Sequence, residues 1–316
     1  MRSATHAGDM RSDVSFPSAS VMIAGHLYTP ENAATEPLAA VVVGHPASGV
    51  KEQTAAAYAR RLADAGLIAL TFDAAYQGES GGTPRGIEDP AQRVEDLKNA
   101  VSFLTTRSEV DPERIGGLGI CASGGYVVPA AVTDHRIRAV ATVSAVDTGL
   151  ANRVGADGTQ DPSVIQGVLD AAAAARTAEA AGGRPRMAPI FPANEQEARA
   201  GGQHVFDGWE YYCTDRGQHP RSAKEFTLTS IDRIVNFNAF HLIDMLAPRP
   251  LLMVVGTEAV TAWMSERAME QAREPKRLHR VDGATHVDLY DRYVPEVVAE
   301  LVPFFNHHLA ARAVRV

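Results

Sequence analysis

The sequence contains few cysteines, and this scarcity excludes a disulfide-stapled scaffold. Only Cys121 and Cys213 occur among 316 residues, and they lie far apart in different local contexts. Small secreted domains that depend on disulfides are much richer in cysteine. We therefore expect two free thiols and a cytoplasmic protein, because a reducing compartment keeps thiols free.

Long apolar runs and dense blocks of positive charge are also missing. The longest apolar stretches, LAAVVVG (38–44) and PLLMVVG (250–256), are too short to span a bilayer. The N-terminal stretch MRSATHAGDMRSDVSF has no apolar core typical of a secretion signal. The net charge is −8 and the isoelectric point is about 5.8, without the clustered cations that bind phosphates. These features argue against a membrane association and against a nucleic-acid partner.

Short β-branched runs alternate with helical patterns along most of the chain. The candidate strands are residues 38–46, 67–73, 114–120, 137–147, 250–256 and 277–283. Their alternation with helical segments predicts parallel βαβ units and an α/β fold. The opening segment DVSFPSASVMIAGHLY alternates instead like an antiparallel hairpin added at the sheet edge.

One long segment interrupts this alternation between two strands. Residues 149–241 contain an alanine-rich helical stretch, a Gly/Pro-rich stretch and a cluster of aromatic residues. The aromatic residues are Phe206, Trp209, Tyr211, Tyr212, Phe226, Phe237 and Phe240. Long loops in compact domains are usually functional or disordered, and aromatic residues argue against disorder. We predict a lid insertion, with a packing insertion remote from the site as the alternative; residues 14–148 and 242–316 form the core, and residues 1–13 a flexible N-terminus.

The segment RIGGLGICASGGY (114–126) has the spacing of a nucleophile turn. Such a turn joins a strand to a helix, and small residues on both sides of the nucleophile let it close. Both Cys121 and Ser123 fit this spacing. Because the strand ends at Ile120, Cys121 follows it directly, and the helix dipole at that position favours a thiolate. We predict Cys121 as the nucleophile; a buried, inert cysteine is the alternative.

A cysteine nucleophile needs a base and a site for the oxyanion. His286 follows the last candidate strand, where the histidine of this chain order is expected. Two backbone N–H groups normally bind the oxyanion. Ala122 supplies one, and Ala47 is predicted to supply the other because Pro46 has no N–H. His45, in the same turn, either binds substrate at the mouth of the site or braces the turn.

The acid of a catalytic triad is harder to find. The usual place is a few residues after the strand PLLMVVG, where the chain reads GTEAV without an aspartate. Glu258 is the nearest carboxylate there, and Asp147, after the preceding strand, is the alternative. Asp288 and Asp291 are expected to cap the closing helix. A thiol ionises more readily than a hydroxyl, so a cysteine enzyme depends less on this third group.

Several motifs together resemble one family. GHPASGVKEQ, TFDAAYQGESGGTPR, RIGGLGICASGGY, YYCTDRGQHPRS and GATHVDLYD are similar to the dienelactone-hydrolase-like branch of the α/β-hydrolases. Within that branch, the chain most resembles bacterial proteins related to fungal polyketide thiohydrolases, from residue 14 to about residue 310. The resemblance implies an eight-stranded, mostly parallel sheet, acyl chemistry through Cys121 and His286, and no metal or organic cofactor.

The resemblance also implies residues around the pocket. Those expected near its rim are Tyr76, Gln77 and Glu79, or else this segment is a surface turn braced by Asp73 and Ser80. Those expected to bound the acyl pocket from the lid are Tyr211, Tyr212, His219 and Arg221. Arg221 has a second interpretation, in which it anchors the lid through a carboxylate.

These features favour a hydrolase that cleaves an ester, lactone or thioester. Its partner is a small-molecule acyl substrate, free or bound to a carrier. Two alternatives stay open: an acyltransferase or cyclase with the same Cys-His machinery, and a catalytically idle binding protein of the same fold. The sequence leaves the oligomeric state open, with a homodimer as one alternative.

Overall fold

Short apolar runs pair into one central sheet in the computed structural model, which describes residues 10–31 and 36–311. The strands are β1 (Met10–Ser18), β2 (Val21–Thr29), β3 (Leu38–Gly44), β4 (Ile68–Phe72), β5 (Val110–Ile120), β6 (Ile137–Val143), β7 (Met187–Pro189), β8 (Glu225–Thr227), β9 (Leu251–Gly256) and β10 (Lys276–Val281). The sheet has eight strands in the order β1-β2-β4-β3-β5-β6-β9-β10, and β7 and β8 form a separate antiparallel pair.

The sheet is mostly parallel, as predicted. Strands β4, β3, β5, β6, β9 and β10 pair in parallel, whereas β1 and β2 form an antiparallel hairpin at one edge. The predicted α/β fold and edge hairpin are therefore confirmed. Strand β1 begins at Met10, so residues 10–13 of the predicted flexible N-terminus are in the sheet, and residues 1–9 lie outside the described residues.

Helices cover both faces of this sheet. They are α1 (Thr54–Asp64), α2 (Pro90–Thr105), α3 (Ala122–Thr133), α4 (Thr148–Val154), α5 (Pro162–Ala180), α6 (Glu195–Ala200), α7 (Gln203–Cys213), α8 (Ile231–Val235), α9 (Ala262–Gln271) and α10 (Val294–His308). Helices α2 and α3 bury apolar side chains such as Leu97 and Val127 on one face, and α1 and α10 bury Leu62 and Leu301 on the other. Every residue of β9 is buried, as expected for a parallel strand covered on both sides.

Residues 149–241, which we call the insertion, are folded. They contain most of α4, helices α5 to α8 and the strand pair β7–β8. Helix α5 begins after Asp161, whose side chain accepts a hydrogen bond from the Ser163 N–H at 2.8 Å. Further along α5, Ala172 and Ala175 pack against Leu228 in a small apolar cluster. The insertion is therefore ordered, as its aromatic residues had indicated.

Ion pairs hold the insertion against the core. Arg221 pairs with Glu52 at 2.5 Å and with Glu79 at 3.4 Å, so this side chain is an anchor. Arg216 pairs with Glu210 within the insertion at 2.8 Å. The same guanidinium pairs with two carboxylates of the core turn that follows β10.

The core turn carries Asp288 and Asp291, which were expected to cap the closing helix. Arg216 lies 3.1 Å from Asp288 and 2.9 Å from Asp291. Helix α10 begins only at Val294, and its N-cap residue, Tyr293, provides no side-chain cap. Both aspartates therefore bind a cation from the insertion instead of capping the helix.

Candidate active site

The turn between β5 and α3 places Cys121 at its tip. Strand β5 ends at Ile120 and α3 begins at Ala122, so Cys121 alone joins them. Its backbone has φ 54° and ψ −118°, a conformation that residues other than glycine rarely adopt and that is typical of functional sites. The Ser123 hydroxyl is buried and donates a hydrogen bond to the His45 carbonyl at 2.5 Å. This turn thus exposes the sulfur and uses the serine to hold the neighbouring loop.

Gly119, two residues before Cys121, has no room for a side chain, and this leads to a first prediction. A Cβ atom on Gly119 would lie 2.1 Å from the carbonyl oxygen of Ser123, so the backbone must shift to accommodate it. We expect Gly119→Ala to lower the free energy of unfolding by about 3 kcal/mol or more. The matched control is Gly167→Ala in the exposed part of α5, where a Cβ meets nothing within 4 Å, and a gain of about 0.5–1 kcal/mol is expected. Urea unfolding of both variants measures the difference, and similar effects would contradict the steric argument.

Two backbone N–H groups point at the Cys121 sulfur. They belong to Ala122, directly after the tip, and to Ala47, in the loop after β3. These are the two groups that the sequence predicted for the oxyanion site. Burial raises the pKa of the Cys121 thiol, while the contacts of the sulfur with the Tyr290 hydroxyl and the two N–H groups oppose that rise. At rest Cys121 is therefore a thiol rather than a thiolate.

His286 is buried near this thiol, after β10. Its Nε2 atom lies 3.0 Å from the hydroxyl oxygen of Tyr290, and its Nδ1 atom lies 2.6 Å from the hydroxyl oxygen of Thr261. Burial lowers the pKa of His286 to about 3, with a smaller contribution from the charge of His204. The ring is therefore neutral at neutral pH.

Neither predicted carboxylate hydrogen-bonds His286. Glu258 is exposed and is tied to the core by its backbone N–H, which donates to the Ala284 carbonyl. Asp147 is buried, but its oxygens accept from the Leu150 N–H at 2.9 Å and the Ala239 N–H at 3.0 Å. Among the described residues, Thr261 holds the Nδ1 position that a triad carboxylate would occupy. The sequence pattern of a triad predicts an acid at this position, so it did not indicate the Thr261 hydroxyl.

Buried neutral histidines make the fold sensitive to acid, which is a second prediction. Burial lowers the pKa of His45 and of His286 below 6.5, the value expected in the unfolded chain. Between about pH 6.5 and pH 4.5 the unfolded chain therefore binds protons that the folded chain does not, so stability falls as the pH falls. We expect each histidine to contribute about 1.4 kcal/mol per pH unit.

Urea unfolding at successive pH values measures this slope. His286→Gln should remove the contribution of His286, and the exposed His135→Gln should leave the slope unchanged. A slope that does not differ between wild type and His286→Gln would contradict the neutral, buried state of His286.

His45 braces the loop that carries Ala47. It is fully buried, and its Nε2 accepts a hydrogen bond from the Ala74 N–H at 3.1 Å. Its Nδ1 therefore carries the proton and donates to the Pro46 carbonyl at 2.6 Å. Arg93 also lies 3.0 Å from Nε2. No ring nitrogen is left for a substrate, so the structure favours the bracing role over the predicted substrate-binding role.

The segment expected at the pocket rim is a braced turn. Ser80 donates to the Asp73 carbonyl at 2.6 Å, and the Asp73 carboxylate accepts from the Lys51 ammonium at 2.9 Å. Tyr76, with φ 69°, lines an open cavity of about 240 Å³ between this turn and the insertion, together with Arg221. These contacts are the ones expected of a turn braced by Asp73 and Ser80. Tyr76 lies where this turn meets the insertion.

Three buried tyrosines converge beside Cys121. Tyr211 and Tyr212 come from α7 of the insertion, and their ring centroids lie 5.2 Å and 6.4 Å from that of Tyr290. The Tyr212 hydroxyl is buried, and the hydroxyls of Ser48 and Tyr290 are its nearest polar neighbours. Burial raises the pKa of Tyr212, and the nearby Cys121 raises it further. The insertion therefore supplies two buried phenols to the surroundings of Cys121.

The sequence analysis did not identify Tyr290. It lies four residues after His286, within the 3₁₀ turn Asp288–Tyr290. That spacing returns a side chain to the same side of a helical turn. An i, i+4 search around the histidine is the signal by which Tyr290 could have been found.

A cavity of about 390 Å³ leads to the other side of His286. Its wall includes His204 from α7 and three carboxylates, those of Asp157, Asp207 and Glu258. The His204 ring stands edge-on to the His286 ring, with centroids 5.3 Å apart. The predicted acid, Glu258, thus lines a cavity next to the histidine without bonding to it.

Comparisons with known proteins agree with this architecture. The family model described as "Dienelactone hydrolase family" matches residues 23–145, which include most of β2, strands β3 to β6 and Cys121. The uncharacterized protein YcjY of Escherichia coli strain K12 is 40% identical over 285 residues, covering 89% of this chain and 92% of that protein. The chain belongs to the dienelactone hydrolase family. As that family implies, it has the α/β-hydrolase fold.

Two further matches relate this dienelactone hydrolase family member to known structures and proteins. The crystal structure of hypothetical protein PA2218 from Pseudomonas aeruginosa matches with a TM-score of 0.89 and 33% identity, covering 96% of this chain and 95% of that one. A protein named Thiohydrolase aneE from Aspergillus aculeatus is 27% identical over 256 residues, 78% of each chain. Among the described residues, no helix is both long enough and apolar enough to cross a membrane.

Proposed function

We propose that this dienelactone hydrolase family member is a cysteine-dependent acyl hydrolase that cleaves an ester, lactone or thioester. The observation that carries the proposal is the position of Cys121. Its strained backbone sits between β5 and α3, and the N–H groups of Ala47 and Ala122 point at its sulfur. A strand-to-helix turn with a nucleophile and two such donors is what acyl transfer requires.

The proposed mechanism has two half-reactions. The Cys121 sulfur attacks the acyl carbonyl, the thiol proton passes to His286, and the N–H groups of Ala47 and Ala122 hold the oxyanion. His286 then returns the proton to the leaving group. Water attacks the thioacyl intermediate with His286 as base, which releases the acid and restores the thiol.

A thioester is the substrate class we favour among the three. The relative named as a thiohydrolase supports this choice, and a thiolate leaving group departs more easily than an alkoxide from a site with a weak base. Cys121 must stay reduced to react, so the proposal includes a cytoplasmic location.

We further propose that the insertion acts as a lid. Its α7 brings Tyr211 and Tyr212 against Tyr290, and Arg216 and Arg221 tie it to the core. A closed cover of this kind limits access of water to an acyl intermediate.

Intact-protein mass spectrometry after incubation with p-nitrophenyl acetate tests the nucleophile. We expect an acetyl adduct on the wild type and on Ser123→Ala, and none on Cys121→Ala. The Ser123 variant is the matched control because this serine is two residues away in the same turn. An adduct that persists in Cys121→Ala but disappears in Ser123→Ala would contradict the proposal.

Acyl transfer to an alcohol or amine is a second candidate function. The observation that favours it is the buried tyrosine cluster around Cys121, which restricts water more than it restricts a bound acceptor. Product analysis with and without added alcohol separates the two functions. A hydrolase yields only the acid, whereas a transferase yields the ester in proportion to the acceptor.

A further inference from the structure

The hydroxyl of Tyr290 lies between the two groups that must exchange a proton. It is 3.0 Å from His286 Nε2, and it also hydrogen-bonds the Cys121 thiol. Tyr290 is only 2% exposed, so no bulk water competes for either contact. In the mechanism proposed above, His286 receives the thiol proton. Its Nδ1 atom is held by Thr261, and its Nε2 atom contacts the Tyr290 phenol.

The hydrogen bonds around this phenol fit one direction of proton flow. Burial, reinforced by Cys121, raises the pKa of Tyr290 well above its usual value, so the phenol keeps its proton. It can therefore donate to His286 Nε2 while its oxygen accepts from the thiol. His286 Nδ1 then carries a proton and donates to Thr261 at 2.6 Å. In the chain Cys121–Tyr290–His286–Thr261, Cys121 thus donates, Thr261 accepts, and Tyr290 and His286 each do both.

We propose that Tyr290 is a catalytic residue that relays the proton between Cys121 and His286. This inference rests on the proposed function, because it assigns a role within the same half-reactions. As the sulfur bonds to the acyl carbon, the S–H bond breaks and its proton binds the Tyr290 oxygen. At the same time the Tyr290 O–H bond breaks and that proton binds His286 Nε2. The phenol ends neutral, the imidazole ends protonated, and the reverse transfer protonates the leaving group.

A relay explains why a buried histidine without a carboxylate partner can serve here. A separate ion pair of thiolate and imidazolium is unfavourable in a buried site. Transfer through the phenol during attack avoids forming that pair in the resting enzyme. The oxyanion, held by Ala47 and Ala122, then carries the negative charge.

Tyr290→Phe tests the relay because it keeps the ring and removes only the hydroxyl. Stopped-flow release of p-nitrophenol measures acylation, and alkylation of Cys121 by iodoacetamide measures thiol activation without a substrate. At pH 7 we expect Tyr290→Phe to slow acylation roughly 100-fold or more and to slow alkylation as well. Both deficits should shrink at high pH, because hydroxide then removes the thiol proton directly.

Tyr58→Phe is the matched control. Tyr58 is fully buried, and its hydroxyl donates to the carbonyl of Leu289, the residue before Tyr290, at 2.6 Å. We expect this variant to lose stability and to keep the wild-type pH profile for alkylation. A loss in Tyr290→Phe by the same factor at every pH, or no loss at pH 7, would overturn the relay.

Wild-type protein provides a measurement that does not depend on the variant folding. Acylation rates in mixtures of H₂O and D₂O should show the curved dependence expected for two protons in flight, and a linear dependence would overturn the relay. The proposed function fails separately, if Cys121→Ala still forms the acyl adduct. In that case the Cys121 thiol would not be the nucleophile, and both the proposed function and the relay would be contradicted.

Discussion

Replacing Cys121 with serine is expected to reduce the acylation rate by roughly 10⁴-fold. A serine hydroxyl depends on a histidine base that a carboxylate supports, and loss of that carboxylate costs serine enzymes roughly this factor. His286 has Thr261 in place of a carboxylate, and its pKa is about 3. A base this weak cannot readily deprotonate a hydroxyl, whereas a thiol gives up its proton more easily.

Single-turnover acylation by p-nitrophenyl acetate measures this effect, with Ser123→Ala as the control that should lose far less of the rate than Cys121→Ser. The more discriminating comparison is Cys121→Ser against Cys121→Ser combined with Thr261→Asp. Adding the carboxylate should recover part of the lost rate. If Cys121→Ser alone keeps a tenth or more of the wild-type rate, the dependence on a thiol would be contradicted.

The sheet and the nucleophile turn could be predicted because local sequence determines them. Buried strands such as β9 are continuous apolar runs, and β-branched residues pack well on the buried, pleated surface of a sheet. The position of Cys121 followed from the same reasoning. The predicted strand 114–120 ends at Ile120, as β5 does, and Cys121 is the next residue. The resemblance to a family pointed to the same turn.

The surroundings of His286 could not be predicted in the same way. Thr261 reaches the histidine from the start of α9, and Tyr212 reaches the site from the insertion, across long separations in sequence. Hydroxyl side chains at such places carry no periodic pattern, and their roles depend on how the loops pack. Asp288 and Asp291 were likewise expected to cap the nearby helix. In the structure both carboxylates pair instead with Arg216, which is distant in sequence.

Thr261→Asp is expected to raise the pKa of His286 by roughly 1–3 units from its value of about 3. The two side chains are of similar size, and the threonine oxygen already lies 2.6 Å from Nδ1, so a carboxylate oxygen can take the same place. A negative charge there stabilises the imidazolium that forms when the thiol gives up its proton. Acylation at pH 7 should therefore speed up by about the same factor, roughly 10- to 1,000-fold.

Thr261→Asn is the matched control, because it has the same shape as aspartate and no charge. It should leave the pKa of His286 near its low value and should not accelerate acylation. NMR titration of the His286 ring, assigned by its absence in His286→Gln, measures the pKa, and the acid limb of the acylation rate against pH should move upward with it. An unchanged pKa in Thr261→Asp would mean that the introduced carboxyl is itself protonated or turned away. A raised pKa without faster acylation would show instead that proton transfer to His286 does not limit the attack by Cys121.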